Sequence, residues 1–207
     1  MANIMGHHIN HSTQRLIFAT NNQHKVDEIK AVIGTQFNVV TLLNAGIDID
    51  IPEPHDTLEA NATEKSTTIH NITKENVFSE DTGLEVEILN GEPGVKSARY
   101  AGEGRDFQAN IDKLLLNLEG KANRNAQFRT VISLILRNKE YLFDGICKGK
   151  IILEQKGLKG FGYDPIFMPD GSDKTFAEMT MAEKNEFSHR KKATDKLIAF
   201  LKETSIT

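Results

Sequence analysis

Four stretches of the chain combine residue types that chemistry needs. The first is Thr20-Asn21-Asn22-Gln23-His24-Lys25, a polar run between an apolar segment and a helical pattern. Free backbone N–H groups at a helix start favour anions, and Lys25 adds a point charge within the first turn, an arrangement suited to phosphate. The same residues also suit an ordinary helix cap with a solvated lysine. The Walker pattern G-x-x-x-x-G-K-[ST] occurs nowhere in the sequence, so this is not a P-loop. The second stretch is Glu80-Asp81-Thr82-Gly83, with Glu53 upstream in Ile51-Pro52-Glu53-Pro54. Carboxylates so placed can hold Mg²⁺, which prefers oxygen ligands and is often shared with substrate phosphates, and one of them can take a proton from water. A turn rich in acidic residues is the plain alternative.

The third is Lys159-Gly160-Phe161-Gly162-Tyr163-Asp164-Pro165. Glycines beside two aromatics let the backbone approach a flat ligand, and Phe161 or Tyr163 offers a stacking face; a Gly-rich turn with core aromatics reads the same way. The fourth is Glu183-Lys184-Asn185-Glu186-Phe187-Ser188-His189-Arg190. Lys184 and Ser188 share a helical face, with His189 and Arg190 beside them, so donors and cations concentrate over two turns. A solvated charged face would have the same composition.

Positioning these groups requires a particular set of elements. Leu16-Ile17-Phe18-Ala19 reads as a buried strand that feeds the first polar loop. Val26, Ile29, Val32 and Ile33 then recur at helical spacing up to Gly34, and residues 37–43 are rich in strand formers. Asp56-Thr57-Leu58-Glu59 loosely matches a capping box, with Asp56 as cap, opening a helix to about residue 70. Val77-Phe78-Ser79 predicts a strand ending in the acidic pair, followed by a half-exposed strand through Leu84, Val86 and Ile88 to the turn Asn90-Gly91-Glu92-Pro93-Gly94. Ile111, Leu114, Leu115 and Leu118 mark an amphipathic helix closed by Gly120. Residues 128–136 and 141–153 predict an antiparallel hairpin across Arg137-Asn138-Lys139-Glu140, and one last helix spans about 182–202.

Composition narrows the class. The chain has 207 residues with 39% hydrophobic and 26% charged, so a packed core forms and disorder is excluded. Lys and Arg number 25 against 29 Asp and Glu, a net −4 that offers no general footprint for nucleic acid or an anionic membrane. Any polyanion must therefore be held locally. Cys147 is the only cysteine, which rules out an intrachain disulfide and fits a reducing compartment. No apolar run approaches the roughly 18 residues of a spanning helix, and the first dozen residues lack the apolar centre of a signal peptide, so the expected location is the cytoplasm. Residues 1–14, with His7, His8 and His11, are set aside as an N-terminal extension or expression remnant, and 15–204 are expected to form a single domain.

Taken in order, these motifs resemble the inosine triphosphate pyrophosphatase family, the XTP/dITP diphosphatases. The likeness runs over residues 16–201. It includes Phe18-Ala19-Thr20-Asn21-Asn22 with Lys25, Glu80-Asp81-Thr82-Gly83-Leu84-Glu85-Val86, and Asn90-Gly91-Glu92-Pro93-Gly94 continuing to Ser97-Ala98-Arg99-Tyr100-Ala101-Gly102. Gly160-Phe161-Gly162-Tyr163-Asp164-Pro165, Thr175-Phe176-Ala177-Glu178-Met179, and Glu183-Lys184-Asn185 with Ser188-His189-Arg190 complete it. The resemblance implies a mixed α/β fold: an elongated mixed sheet with flanking helices, two lobes around a central nucleotide cleft, and a homodimer. It implies hydrolysis of ITP, dITP and XTP to monophosphate and pyrophosphate, with Mg²⁺ as cofactor, cleansing the nucleotide pool. Family roles would put the triphosphate on Thr20, Asn21, Asn22, Lys25 and Lys65, with Thr82 nearby. Asp81 would be proton acceptor and, with Glu53, metal ligand. Phe161, Gly162, Tyr163 and Asp164 would line the base and sugar site, and Lys184, His189 and Arg190 would complete recognition. A nucleotide-binding sensor without catalysis would use the same lysines and aromatics yet lack a positioned water.

Overall fold

The computed structural model describes residues 15–35 and 37–204, so the segment 1–14 lies outside the described residues. β1 (Arg15–Phe18) alternates its side chains between two apolar clusters, Leu16 and Phe18 to one and Ile17, with Ala19 just past the strand, to the other. A strand covered on both faces must be apolar at every position, which is why the run is continuous. α1 (Gln23–Ile33) follows and ends at Gly34 in a positive-φ cap, as its spacing predicts. β2 (Asn38–Thr41), α2 (Leu58–Thr73), β3 (Val77–Val86), the short β4 (Pro93–Gly94), α3 (Phe107–Asn117), β5 (Asn125–Leu136), β6 (Lys139–Ile151), β7 (Phe167–Pro169), α4 (Met181–Phe187) and α5 (His189–Thr204) complete the order.

The strands form one seven-stranded mixed sheet in the order β2-β1-β3-β5-β6-β7, with β4 paired to β3. β1 pairs in parallel with β2 and β3; the rest is antiparallel. On one face α1 and α5 pack together through Val26, Ile29, Ile33, Leu197, Ile198 and Leu201, while Ile69 of α2 covers the other. Burying each such side chain contributes about 1.5–3 kcal/mol.

β3 and β5 run through two apolar lobes. Phe78, Ile132 and Leu134 belong to the first, and Leu84, Val86, Ala126 and Phe128 to the second, which α3 and β7 also build. Between them the paired strands carry Glu80, Asp81, Thr82 and Thr130. This polar belt across two long strands is where the cleft opens.

Five expectations change. The acidic pair sits mid-strand in one ten-residue β3 rather than at a strand end, because the pairing with β5 continues unbroken from Val77 to Val86. Ile88 lies in the 3₁₀ turn Glu87–Leu89 instead of in a second strand. The α2 cap is Thr57, whose hydroxyl accepts from the Ala60 N–H, one residue beyond Asp56. The last helix is two, broken at Ser188, whose ψ of 126° is extended and whose Oγ accepts from the Lys191 N–H to start α5. The hairpin turn also tightens to Arg137 and Asn138, both at positive φ, which matches the right-handed twist of β5 and β6.

Candidate active site

The first loop is built by its own polar side chains. Thr20 Oγ1 accepts from the Asn22 N–H at 3.2 Å, Asn22 Oδ1 accepts from the Lys25 N–H at 3.3 Å, and Asn21 donates to the Ile49 carbonyl at 2.9 Å. Asn22 is thus the α1 cap, and no acidic residue occupies the first turn to compete for an anion. Lys25 leans back to Glu80, 2.8 Å from Oε1.

Alternation along β3 sends the two acids to opposite faces. Asp81 points to α2, where Lys65 Nζ donates to Asp81 Oδ1 at 3.1 Å and to Glu53 Oε1 at 2.7 Å. Asn61 donates to Asp81 Oδ2 at 3.4 Å, itself fixed by two bonds to the His55 backbone. Arg99 holds Glu53 Oε2 at 3.1 Å. Burial is the largest influence on both carboxylates and acts against ionisation. It keeps Asp81 above the usual Asp value despite Lys65 and Lys25. At Glu53 the charges of Lys65, Lys25 and Arg99 overcome it and bring the pKa to about 2.

Glu80 points the other way, into a buried lattice of charge. Arg190 donates from Nε to Glu80 Oε2 at 2.6 Å and from Nη2 to Glu80 Oε1 at 3.2 Å and Thr82 Oγ1 at 3.3 Å, and its Nη1 reaches Glu28 Oε2. Lys184 Nζ donates to Glu28 Oε1 at 2.7 Å and Asp164 Oδ2 at 2.6 Å. Four of the five guanidinium hydrogens of Arg190 are engaged. The break at Ser188 is what turns Lys184, His189 and Arg190 inward together; each is buried.

Phe161 stands above these cations, with Lys184 Nζ at 5.5 Å and the Arg190 guanidinium carbon at 5.7 Å from its ring centre. His24 stacks on it at 5.0 Å, and Phe107 tilts toward it at 6.1 Å. The turn depends on Gly160, at φ +75°, where a Cβ would lie 2.0 Å from Asp164 Oδ2. That Asp164 oxygen also receives the Phe161 N–H at 3.0 Å. Tyr163 is buried and spends its hydroxyl on the Ser97 carbonyl at 2.9 Å. His189 stacks on Phe128 at 4.7 Å; burial and the nearby Arg190 push its pKa well below the ordinary value, so it is neutral. Its Nδ1 is buried and has no partner among the described residues.

Glu53, Lys25, Lys65, Asp81, Phe161, Asp164, Lys184, His189 and Arg190 border one cleft of about 330 Å³, together with Thr20, Asn21, Asn22, Thr82, Gly162 and Tyr163. The groups singled out in the sequence therefore come together in one place. His189 is buried rather than part of a solvated charged face, and Glu80 is a partner of Lys25 and Arg190 and does not face Glu53. Residues that the sequence reading gave no role also shape the cleft: Glu28 behind it, His24 stacked on Phe161, and Asp50, Arg105 and Phe107 along its walls. The one signal for Glu28 is a carboxylate beside the apolar face Val26-Ile29-Ile33, three residues after Lys25.

Comparison with known proteins follows the same outline. The model of the Ham1 family matches residues 16–200. The dITP/XTP pyrophosphatase of Flavobacterium psychrophilum is 50% identical over 188 residues, covering 91% of this chain and 99% of that protein. The dITP/XTP pyrophosphatase of Porphyromonas gingivalis is 46% identical over 189 residues, covering 91% and 97%. Among solved structures, the Staphylococcus aureus Ham1 protein superposes with a TM-score of 0.84 at 40% identity, over 92% of this chain and 100% of that one. The dITP/XTP pyrophosphatase from Mycobacterium abscessus gives 0.73 at 34% identity, over 89% and 98%.

Proposed function

The chain belongs to the Ham1 family, and from that premise we propose that it hydrolyses the non-standard purine nucleotides ITP, dITP and XTP to the monophosphate and pyrophosphate. The observation that carries the reading is a single cleft in which a carboxylate pair on Lys65, the amide-bearing start of α1 and the Phe161 ring are joined. A polyphosphate and a flat base need those three features together.

Glu53 and Asp81 suit Mg²⁺, which takes one or two carboxylates and fills its remaining positions with water and phosphate oxygens. Among the described residues no three His, Cys, Asp or Glu groups stand together as an all-protein cage, which leaves the rest of the shell to water and substrate oxygens. When bound, the ion would draw charge from the phosphate oxygens.

The chain's own residues do the rest. Asp81 orients a water toward the α-phosphorus and accepts its proton; burial raises the carboxyl's basicity above that of a free Asp. Asn61, anchored to the His55 backbone, keeps that carboxylate turned into the cleft. Lys25, Lys65 and Lys184 lower the negative field that would repel the attacking oxygen, and the first-turn amides of α1 that Asn22 leaves uncapped receive phosphate oxygens. Phe161 stacks on the base.

Selectivity rests on the six-position of the purine. Inosine and xanthosine present an oxygen acceptor there and adenosine an amino donor. Arg190 retains one uncommitted N–H, and His189, neutral in its buried place, offers one donor. Leaving a buried donor unpaired costs about 1–3 kcal/mol, roughly five- to a hundredfold against ATP per group. The homodimer and the cytoplasmic location belong to the same proposal; sedimentation at working concentration tests the first.

Pyrophosphate release, measured with Mg²⁺ across ITP, dITP, XTP, ATP and GTP, decides the matter. The expected result is release from the first three far above ATP. Protection of the protein from melting by ITP with no release would instead make it a sensor.

A further inference from the structure

Every lysine or arginine that borders the cleft, with one exception, already has a carboxylate. Lys25 holds Glu80, Lys65 holds Glu53 and Asp81, Lys184 holds Glu28 and Asp164, and Arg190 holds Glu28 and Glu80. The exception is Arg105. Its side chain is exposed, borders the cleft, and has no hydrogen bond or ion pair among the described residues.

Its backbone is unusual too. Arg105 is at φ +51°, a left-handed conformation that a β-carbon disfavours. The loop is tied at both ends: the Ala101 N–H donates to Asn110 Oδ1 at 2.7 Å, and Asp106 caps α3 by accepting from the Ala109 N–H at 3.0 Å. Between these ties stand Gly102 and Gly104, with open space where a Cβ would be. Two residues on, Phe107 lies 6.1 Å from Phe161, whose stacking partner His24 is in the first turn of α1. The loop therefore carries an unspent guanidinium at the rim of the cleft, next to the stack in which His24 joins Phe161 to the start of α1.

We propose that Arg105 is a substrate-binding residue for the polyphosphate tail, its two-pronged guanidinium closing on phosphate oxygens when the nucleotide arrives. The chemistry favours this assignment. A triphosphate brings negative charge on each phosphoryl group, while the paired cations have theirs largely cancelled by the acids that hold them. A planar fork matches two phosphate oxygens at once, and a loop with two glycines just ahead of the arginine can follow them. Tying a strained, exposed arginine to the substrate also explains why the loop is anchored at its ends and not at its tip. This inference rests on the hydrolytic reading above.

The test compares the unmodified enzyme with Arg105→Gln and Arg105→Lys. In the Gln variant KM for ITP and the inhibition constant of inorganic tripolyphosphate rise about tenfold, with kcat within about twofold and an unchanged melting temperature, as for loss of one charge-assisted contact. Inhibition by inosine monophosphate stays the same. KM also becomes less sensitive to salt, and the Lys variant recovers part of the loss. Unchanged constants for both ITP and tripolyphosphate would overturn the proposal, as would equal weakening of the monophosphate, which would place Arg105 on the base or sugar. If the unmodified enzyme releases no pyrophosphate from any nucleotide, the hydrolytic reading fails by itself, and tripolyphosphate binding to the three proteins still decides the role of Arg105.

Discussion

The Glu28 carboxylate accepts a 2.7 Å hydrogen bond from the Lys184 ammonium, which lies 156 positions further along the chain. With its second oxygen on Arg190, Glu28 fastens α1 to α4 and α5 beneath the cleft. It touches none of the surfaces on which substrate would rest, yet it sets where two of the cleft's cations stand. Taking away one member of a buried ion cluster leaves the others charged and unpaired, which costs far more than the cluster contributes relative to an apolar filling.

Glu28→Ala is therefore expected to lose about 3–5 kcal/mol of stability at pH 7, read from urea unfolding, and to raise KM for ITP. A loss below about 1 kcal/mol would mean that the lattice is not held in common.

Acid should weaken the same joint. Burial pushes the Glu28 pKa up, but Arg190 and Lys184 outweigh it and bring it to about 2, against 4.5 in an unfolded chain. A depressed carboxyl contributes stability that is present above pH 4.5 and is lost as pH falls toward 2; the shift corresponds to about 3 kcal/mol. Unfolding free energy measured between pH 6 and pH 3 should fall more steeply in the parent protein than in Glu28→Gln, and parallel curves would contradict it.

Asp81→Asn keeps the shape of the side chain and removes the base. Turnover of ITP is expected to drop by at least about a hundredfold while ITP still protects the protein against melting. Near-normal kcat at saturating Mg²⁺ would remove Asp81 from its role.

For Phe161→Ala the expected change is in binding. Losing a stacked ring raises KM for ITP roughly two- to tenfold, with kcat little altered. Because every base has a π face, the ratio of ITP to ATP specificity constants should stay within about twofold. A collapse of that ratio would show that Phe161 selects the base.

Gly145 in β6 lies directly beneath the start of α5. A Cβ there would come within 2.1 Å of the His189 carbonyl and 2.6 Å of the Ala193 N–H, both backbone atoms with little room to yield. Gly145→Ala should lower stability by about 1–3 kcal/mol and, by shifting His189 and Arg190, blur discrimination between ITP and ATP. Retained stability and selectivity together would show that the helix can slide away at no cost.

The chain by itself determined what is local. The apolar run 16–19, the Asn22 cap, the Gly34 stop and the β5–β6 hairpin all follow from spacing and turn chemistry, and the four chemical stretches could be marked without a structure. It also determined the charge inventory, from which local rather than general anion binding follows. Tertiary structure decided how those charges are spent. Glu80 and Asp81 are neighbours in sequence, but the pleat of a strand continuous through both lobes sends one to Arg190 and the other to Lys65. Ser188 breaks the last helix so that three residues turn inward, and Glu28 becomes a buried hinge pin only because Lys184 and Arg190 are folded back over α1. A residue's partner across more than a hundred positions is set by packing, and no local pattern of residues encodes it.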